Sequence, residues 1–252
     1  MHEQVRLIES GQQGPRVLLL PGLGARGSGF RALAGLLSSV ARPVIVDYPE
    51  GAHAGVGARS LALQVAAAAG TFDAAIVSSF GGMVGAHLAA MGTVRGVAFL
   101  GSFAKLDQLG IRGPLIRLMG PIAELGRPGQ LAAIIAANGF VPATDVEHVV
   151  PTTFAERRGV THRALAIPRE PSPPSLRDLP LSCIALHGER DWLVPRSVLS
   201  RLAASLPDGT PTHVLPGAGH VPYFSHPAEC AELLLPWLRA LEAKATPAQT
   251  AA

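Results

Sequence analysis

The chain has 252 residues, 48% hydrophobic and 15% charged, enough apolar side chain for one large α/β domain with an insertion and too much for wholesale disorder. The net charge of +3 is scattered, with no run of lysine or arginine, so a nucleic-acid partner is not expected. No apolar run approaches the ~18 residues of a membrane span, and Met1-His2-Glu3-Gln4-Val5-Arg6 lacks the apolar region of a secretory signal, so the expectation is a cytoplasmic protein. In chain order, Val5 to Glu9 alternates like a half-exposed strand, and Arg16-Val17-Leu18-Leu19-Leu20 reads as a strand covered on both faces. It stops at the breaker cluster Pro21-Gly22-Leu23-Gly24. Phe30 to Ser39 has helical spacing, Pro43 to Val46 is a third buried strand ending at Asp47, and Ser60 to Gly70 is a helix with Ser60 as its expected N-cap.

A strand over Asp73 to Val77 then meets Ser78, Ser79, Phe80, Gly81 and Gly82, and an Ala-rich helical pattern continues to Met91. Strand, sharp turn and helix are the setting of the nucleophile elbow G-x-S-x-G. Ser79 suits the nucleophile better than Ser78, because its +2 neighbour is the small Gly81, whereas Ser78 would be flanked by Ile76 and Phe80. Val77 stands two residues before Ser79, where the pattern has glycine, and is expected to crowd the turn. Gly96 to Leu100 is another buried strand. The alternation of strands and helices predicts a mostly parallel, doubly wound sheet.

From Phe103 to Ser175 the strand rhythm breaks, which predicts a helical cap over residues 103–175 between core segments 1–102 and 176–245, with 246–252 as a frayed tail. Pro114 to Met119 and Gln130 to Ala137 have helical patterns, and Thr144-Asp145-Val146-Glu147 has the form of a capping box. Eight basic residues stand against six acidic ones in this segment, a balance that suits a solvated face. A strand returns over Leu181 to Leu186. Helix Ser197 to Leu206, strand Thr212 to Leu215 and helix Pro227 to Ala243, with Pro236 inside it, close the chain. Cys183 and Cys230 are expected to be reduced and buried.

Sites in parallel α/β sheets lie at the carboxyl ends of strands. Four such ends carry suggestive residues: the glycine-rich turn after Leu20, Ser79, the stretch His187-Gly188-Glu189-Arg190-Asp191, and Gly217-Ala218-Gly219-His220. A serine hydroxyl needs a base, which His220 could supply near neutral pH, and Asp191 could hold the imidazole tautomer. The backbone N–H groups of Leu23 and Phe80 are the candidate oxyanion donors. Asp107 is a second candidate acid, and Asp47 a loop hydrogen-bonder. His187 and His87 are expected to be structural, and His226 to cap a helix. No metal-ligand spacing and no phosphate loop appears, so no metal and no cofactor are expected.

Leu20 to Gly24, Ser79 to Gly82, His187 to Pro195 and Gly219 to Glu229 together resemble the α/β-hydrolase superfamily, and the resemblance covers the chain outside residues 103–175. The His220 stretch and the compact length resemble most the pimeloyl-acyl-carrier-protein methyl ester esterases of biotin synthesis. Pro21 stands where that superfamily usually has histidine in its oxyanion loop. The resemblance implies ester hydrolysis through an acyl-serine, with Ser79, Asp191 and His220 catalytic. It implies a small-molecule ester substrate, with an acyl carrier protein as the partner it raises; Arg157, Arg158 and Arg163 are the arginines that such an acidic carrier would meet. Substrate contacts are expected from Leu23, Phe80, Leu115, Leu118 and Met119. Thioester or C–C bond hydrolysis by the same residues, or a non-catalytic ligand receptor on the same fold, are the alternatives.

Overall fold

The computed structural model describes residues 4–49, 57–113, 125, 154–169 and 171–245. Seven strands form one sheet: β1 (Arg6–Glu9), β2 (Arg16–Leu20), β3 (Arg42–Asp47), β4 (Ala74–Ser78), β5 (Gly96–Leu100), β6 (Ser182–Gly188) and β7 (Thr212–Leu215), in spatial order β1-β3-β2-β4-β5-β6-β7. Among the described residues only the β1–β3 pairing is antiparallel; Leu19 of β2 lies beside Ile76 of β4, and Val77 beside Phe99 of β5. The described helices are α1 (Arg31–Leu37), α2 (Ala58–Ala69), α3 (Gly81–Ala90), α4 (Phe154–Ala166), α5 (Arg196–Ala203), α6 (Pro222–Ser225) and α7 (Pro227–Ala245). Short 3₁₀ segments lead into α1 over Gly27–Phe30 and follow β5 over Leu106–Arg112.

The pleat explains why the central strands are apolar at every position. Successive side chains point to opposite faces, so Leu18, Leu20, Ala75, Val77, Val97 and Phe99 pack against α2 and α3. Their neighbours Val17, Leu19, Ala74, Ile76, Ala98 and Leu100 pack with α1 and α7 on the other face. Each fully buried aliphatic side chain contributes roughly 1.5–3 kcal/mol, and two covered faces double the number that one strand can bury. Edge strand β1 is mostly exposed, in line with its alternating sequence.

Most strands fall within a residue of the sequence reading. One cap does not: α2 begins at Ala58 behind Gly57, with no side-chain capping bond, so Ser60 lies inside the helix. Cys183 and Cys230 are free and buried, and they belong to the clusters on opposite faces of the sheet. Burial pushes both thiols up to about 12, which keeps them protonated at neutral pH. Pro236 lies inside α7. The patterns over Pro114–Met119, Gln130–Ala137 and Thr144–Glu147 lie outside the described residues. No helix among the described residues is long and apolar enough to cross a membrane.

Candidate active site

Because β2, β4, β5, β6 and β7 run parallel, their carboxyl ends share one edge of the sheet. Leu23 follows β2, Ser79 follows β4, Ser102 follows β5, Asp191 follows β6 and His220 follows β7. The central strand therefore carries the serine, flanked on one side by the glycine-rich turn and on the other by the acid and the histidine.

Ser79 has φ of 50°, the one positive φ outside glycine among the described residues. A left-handed serine costs on the order of 1–3 kcal/mol and persists only where its surroundings hold it. Three close approaches hold it here. A Cβ on Gly22 would stand 3.2 Å from the Ser79 Cβ, so the turn after β2 lies directly against the serine. A Cβ on Gly81 would come within 2.5 Å of the Leu20 carbonyl oxygen, and one on Gly82 within 2.2 Å of Ser102 Oγ. The Ser102 hydroxyl donates to the Ser79 carbonyl at 2.7 Å. The two serines differ sharply. Ser79 is half-buried, whereas Ser78 ends β4 and is buried. Burial drives the neighbouring Tyr223 phenol above its usual range and the Ser78 hydroxyl opposes that, although the two oxygens do not meet in a hydrogen bond of ordinary geometry.

The crowding expected from Val77 is resolved one turn into α3. A Cβ on Gly85 would lie 2.7 Å from Val77 Cγ1, so the glycine missing before the serine is replaced by one on the facing helix.

His220 Nδ1 lies 2.9 Å from Asp191 Oδ2, and both residues are buried. The other carboxylate oxygen, Oδ1, accepts the backbone N–H groups of Leu193 at 3.0 Å and Val194 at 2.9 Å. The chain turning back after Asp191 thus fixes one oxygen and leaves the other for the imidazole, whose Nδ1 then carries the proton and whose Nε2 is left as the basic nitrogen. Glycines let these loops meet: a Cβ on Gly188 would stand 2.1 Å from the Gly219 carbonyl oxygen, and one on Gly101 2.6 Å from that of His220. No hydrogen bond joins Ser79 to His220 among the described residues.

The loop after β2 is tied at its far end, where Gly27 N–H donates to Asp47 Oδ1 at 2.9 Å, which gives Asp47 its role as a loop hydrogen-bonder. Leu23 is buried, and its carbonyl accepts from Arg163 on α4 at 3.1 Å. Among the described residues no partner takes the backbone N–H of Leu23 or Phe80. His87 is buried on α3, and the His226 carbonyl accepts from Cys230 N–H at 3.1 Å, the bond of an N-cap position. Asp107 lies in the first turn of the 3₁₀ segment after β5. Leu115, Leu118 and Met119 lie outside the described residues. Among the described residues no group of three or more His, Cys, Asp or Glu side chains is placed to hold a metal ion.

His187 is buried at the end of β6, and its Nε2 has no partner among the described residues. Burial lowers its pKa from the usual 6.5, the nearby Asp191 carboxylate opposes this, and His220 and Arg196 add to the lowering. The sign follows. Between the folded value and 6.5 the unfolded chain binds a proton that the folded chain does not, so this contribution to stability is complete above about pH 6.5 and is lost as pH falls through the folded value. Thermal midpoints measured from pH 8 to 5 should therefore drop more steeply for the wild type than for His187→Gln. Parallel curves would remove His187 as the source.

Residues 17–233 match the alpha/beta hydrolase family, and the chain belongs to it. Two curated relatives are pimeloyl-acyl-carrier-protein methyl ester esterases. One, from Pectobacterium atrosepticum, is 38% identical over 65 residues, which are 26% of this chain and 25% of that protein. The other, from Proteus mirabilis, is 45% identical over 58 residues, 23% of this chain and 22% of that protein. The chain thus spans about a quarter of the length of the curated relatives it matches. Among solved structures, an N-acyl homoserine lactonase, AidH, superposes with a TM-score of 0.78 at 18% identity, covering 95% of each chain. An esterase from Thermogutta terrifontis superposes with a TM-score of 0.74 at 19% identity, covering 94% of each chain. At these identities the likeness is one of fold.

Sequence reasoning misses Ser102 at this edge and gives Arg163 a surface role. Ser102 sits directly after β5, so the strand-end rule that singles out the others could have found it. Arg163 carries no local signal. Its sequence neighbourhood groups it with the arginines of a solvated face, but it is buried, with its guanidinium turned into the protein. A side chain that bonds to carbonyls 140 and 114 residues away leaves no pattern in its own neighbourhood.

Proposed function

We propose that the protein is a serine carboxylesterase in which Ser79 is the nucleophile, His220 the general base and acid, and Asp191 the group that orients it. The observation that carries this reading is the left-handed Ser79 on the central strand, with a His220–Asp191 pair two and three strands away on the same edge. Ser79 Oγ attacks the ester carbonyl carbon as its proton passes to His220 Nε2. The carbonyl oxygen becomes an oxyanion held by the N–H groups of Leu23 and Phe80. Collapse breaks the bond to the alcohol oxygen, which takes the proton from His220. Water then attacks acyl-Ser79, gives its proton to His220, and the acid leaves as Ser79 Oγ recovers that proton. Thioester and C–C bond hydrolysis use the same groups. The receptor alternative draws its support from Val77, and the accommodation of that side chain by Gly85 takes the support away.

The substrate we propose is a medium-chain acyl methyl ester carried on an acyl carrier protein, with residues 103–175 acting as a cap that selects the acyl chain. The partial likeness to the two curated esterases supports this, and so does the exposed Arg158 on α4. Arg163 does not belong among the carrier-docking arginines because it is buried, and Arg157 is half-buried. An acidic carrier would dock through charge, and such docking weakens with salt because the Debye length is only about 8 Å at physiological ionic strength. The kcat/KM for methyl pimeloyl carrier protein should fall roughly tenfold between 20 and 300 mM salt, and Arg158→Glu should lower it at low salt. The same constant for p-nitrophenyl butyrate should barely change in either test. Equal responses from both substrates would leave a general small-ester hydrolase. Failure of a fluorophosphonate to label Ser79 would remove the esterase itself.

A further inference from the structure

Helix α4 presents one face to the loops that flank Ser79. Val160 and Ala164 on this face, with Ile167 just past the helix, join the apolar cluster. Two charged side chains lie on it, two turns apart. Glu156 pairs with Arg26, which belongs to the loop after β2. Arg163 is 7% exposed. Its guanidinium donates to the Leu23 carbonyl at 3.1 Å and to the Pro49 carbonyl, and it lies over the Tyr48 ring, 5.4 Å from the centroid. One planar fork therefore joins the loops after β2 and β3 to a helix more than a hundred residues further along the chain. Arginine suits this task because its donors diverge from a rigid plane, and its charge is eased by carbonyl oxygens and an aromatic face.

Leu23 stands between Gly22 and Gly24, so its turn has wide intrinsic backbone freedom. An oxyanion donor is useful only if it is held in place before the charge develops. Gly22 is wedged against Ser79, and Asp47 ties Gly27, but both restraints lie outside Leu23 itself. Among the described residues, the bond from Arg163 is the one that grips Leu23 directly. We infer that Arg163 is a positioning residue: by holding the Leu23 carbonyl, it lets the docking of α4 set the oxyanion turn. This rests on the esterase reading above and adds that the donor geometry depends on the segment proposed as the cap.

Arg163→Met keeps an apolar stem beside Tyr48 and removes the donors. With p-nitrophenyl butyrate, kcat should fall roughly 10- to 100-fold, less than the ~10²- to 10³-fold lost with a donor itself. KM should stay within about threefold, as for an interaction made mainly in the transition state. The affinity for a medium-chain trifluoromethyl ketone, whose adduct with serine carries the oxyanion, should weaken in step with kcat/KM, while butyrate inhibits as before. The pH dependence of kcat/KM should match that of the wild type, because the His220–Asp191 pair lies on other loops. A folded Arg163→Met enzyme with wild-type kcat and ketone affinity overturns the inference, and so does a loss confined to KM or to thermal stability. If that variant does not fold, Arg163→Lys replaces it. A single ammonium cannot span both carbonyls, so about a tenfold loss in ketone affinity is expected, and unchanged affinity again overturns the inference. Turnover by Ser79→Ala would sink the esterase reading itself. An inactive Ser79→Ala beside an unaffected Arg163→Met would sink only the role of Arg163.

Discussion

If Ser79 is the nucleophile proposed above, Ser79→Ala is expected to lower kcat for p-nitrophenyl butyrate by on the order of 10⁶-fold, as at serines that act with a histidine base. The fold should survive, because alanine meets the same left-handed backbone that serine occupies at φ of 50°. Two bonds that brace the turn, from Ser102 to the Ser79 carbonyl and from Gly82 N–H to the same oxygen, involve no side-chain atom of Ser79. Ser78→Ala should be mild by comparison. Its hydroxyl is buried at the end of β4, beside Tyr223 and away from solvent. A folded Ser79→Ala enzyme with near-wild-type turnover would falsify the assignment, and a dead Ser78→Ala enzyme would move the nucleophile by one residue.

The second large effect is expected at Asp191→Asn, about 10⁴-fold in kcat with little change in fold. The magnitude follows from which carboxylate oxygen does what. Oδ1 accepts two backbone N–H groups, from Leu193 and Val194. Asparagine keeps those bonds only by placing its carbonyl oxygen there, which turns the amide NH₂ toward His220 Nδ1. The amide then donates where the carboxylate accepted. The imidazole must carry its proton on Nε2, and that nitrogen can no longer take one from Ser79. Substrate binding should be nearly intact, so the loss should appear in kcat with KM close to wild type. Equal loss in KM, or a variant within tenfold of wild type, would show that Asp191 does not set the tautomer. Asp107 would then be the next residue to replace.

Much of this site is legible in the order of residues along the chain. The buried runs Arg16–Leu20 and Gly96–Leu100 are almost wholly apolar, and only a strand covered on both faces uses every position of its pleat. Parallel strands place their carboxyl ends on one edge, so the residues just past each run must share a neighbourhood. This shared edge brings Leu23, Ser79, Asp191 and His220 to one end of the sheet, where His220 and Asp191 meet at 2.9 Å. Periodicity and breaker residues are local, and their consequences travel along the chain.

What stays illegible are contacts that join segments with no shared periodicity. Val77 looks like a misfit in the sequence because the residue that makes room for it, Gly85, lies on the facing helix, eight residues away. Arg163 looks like one of several surface charges because its partners, Leu23 and Pro49, belong to other loops. Strand length, turn chemistry and alternation are set within a few residues, so the sheet, its parallel core and the order of the candidate residues are readable along the chain. Which backbone gaps the side chains fill, and which charge is drawn inside, is settled when the elements pack together. Those outcomes depend on distances between elements, and packing sets such distances where a linear pattern does not.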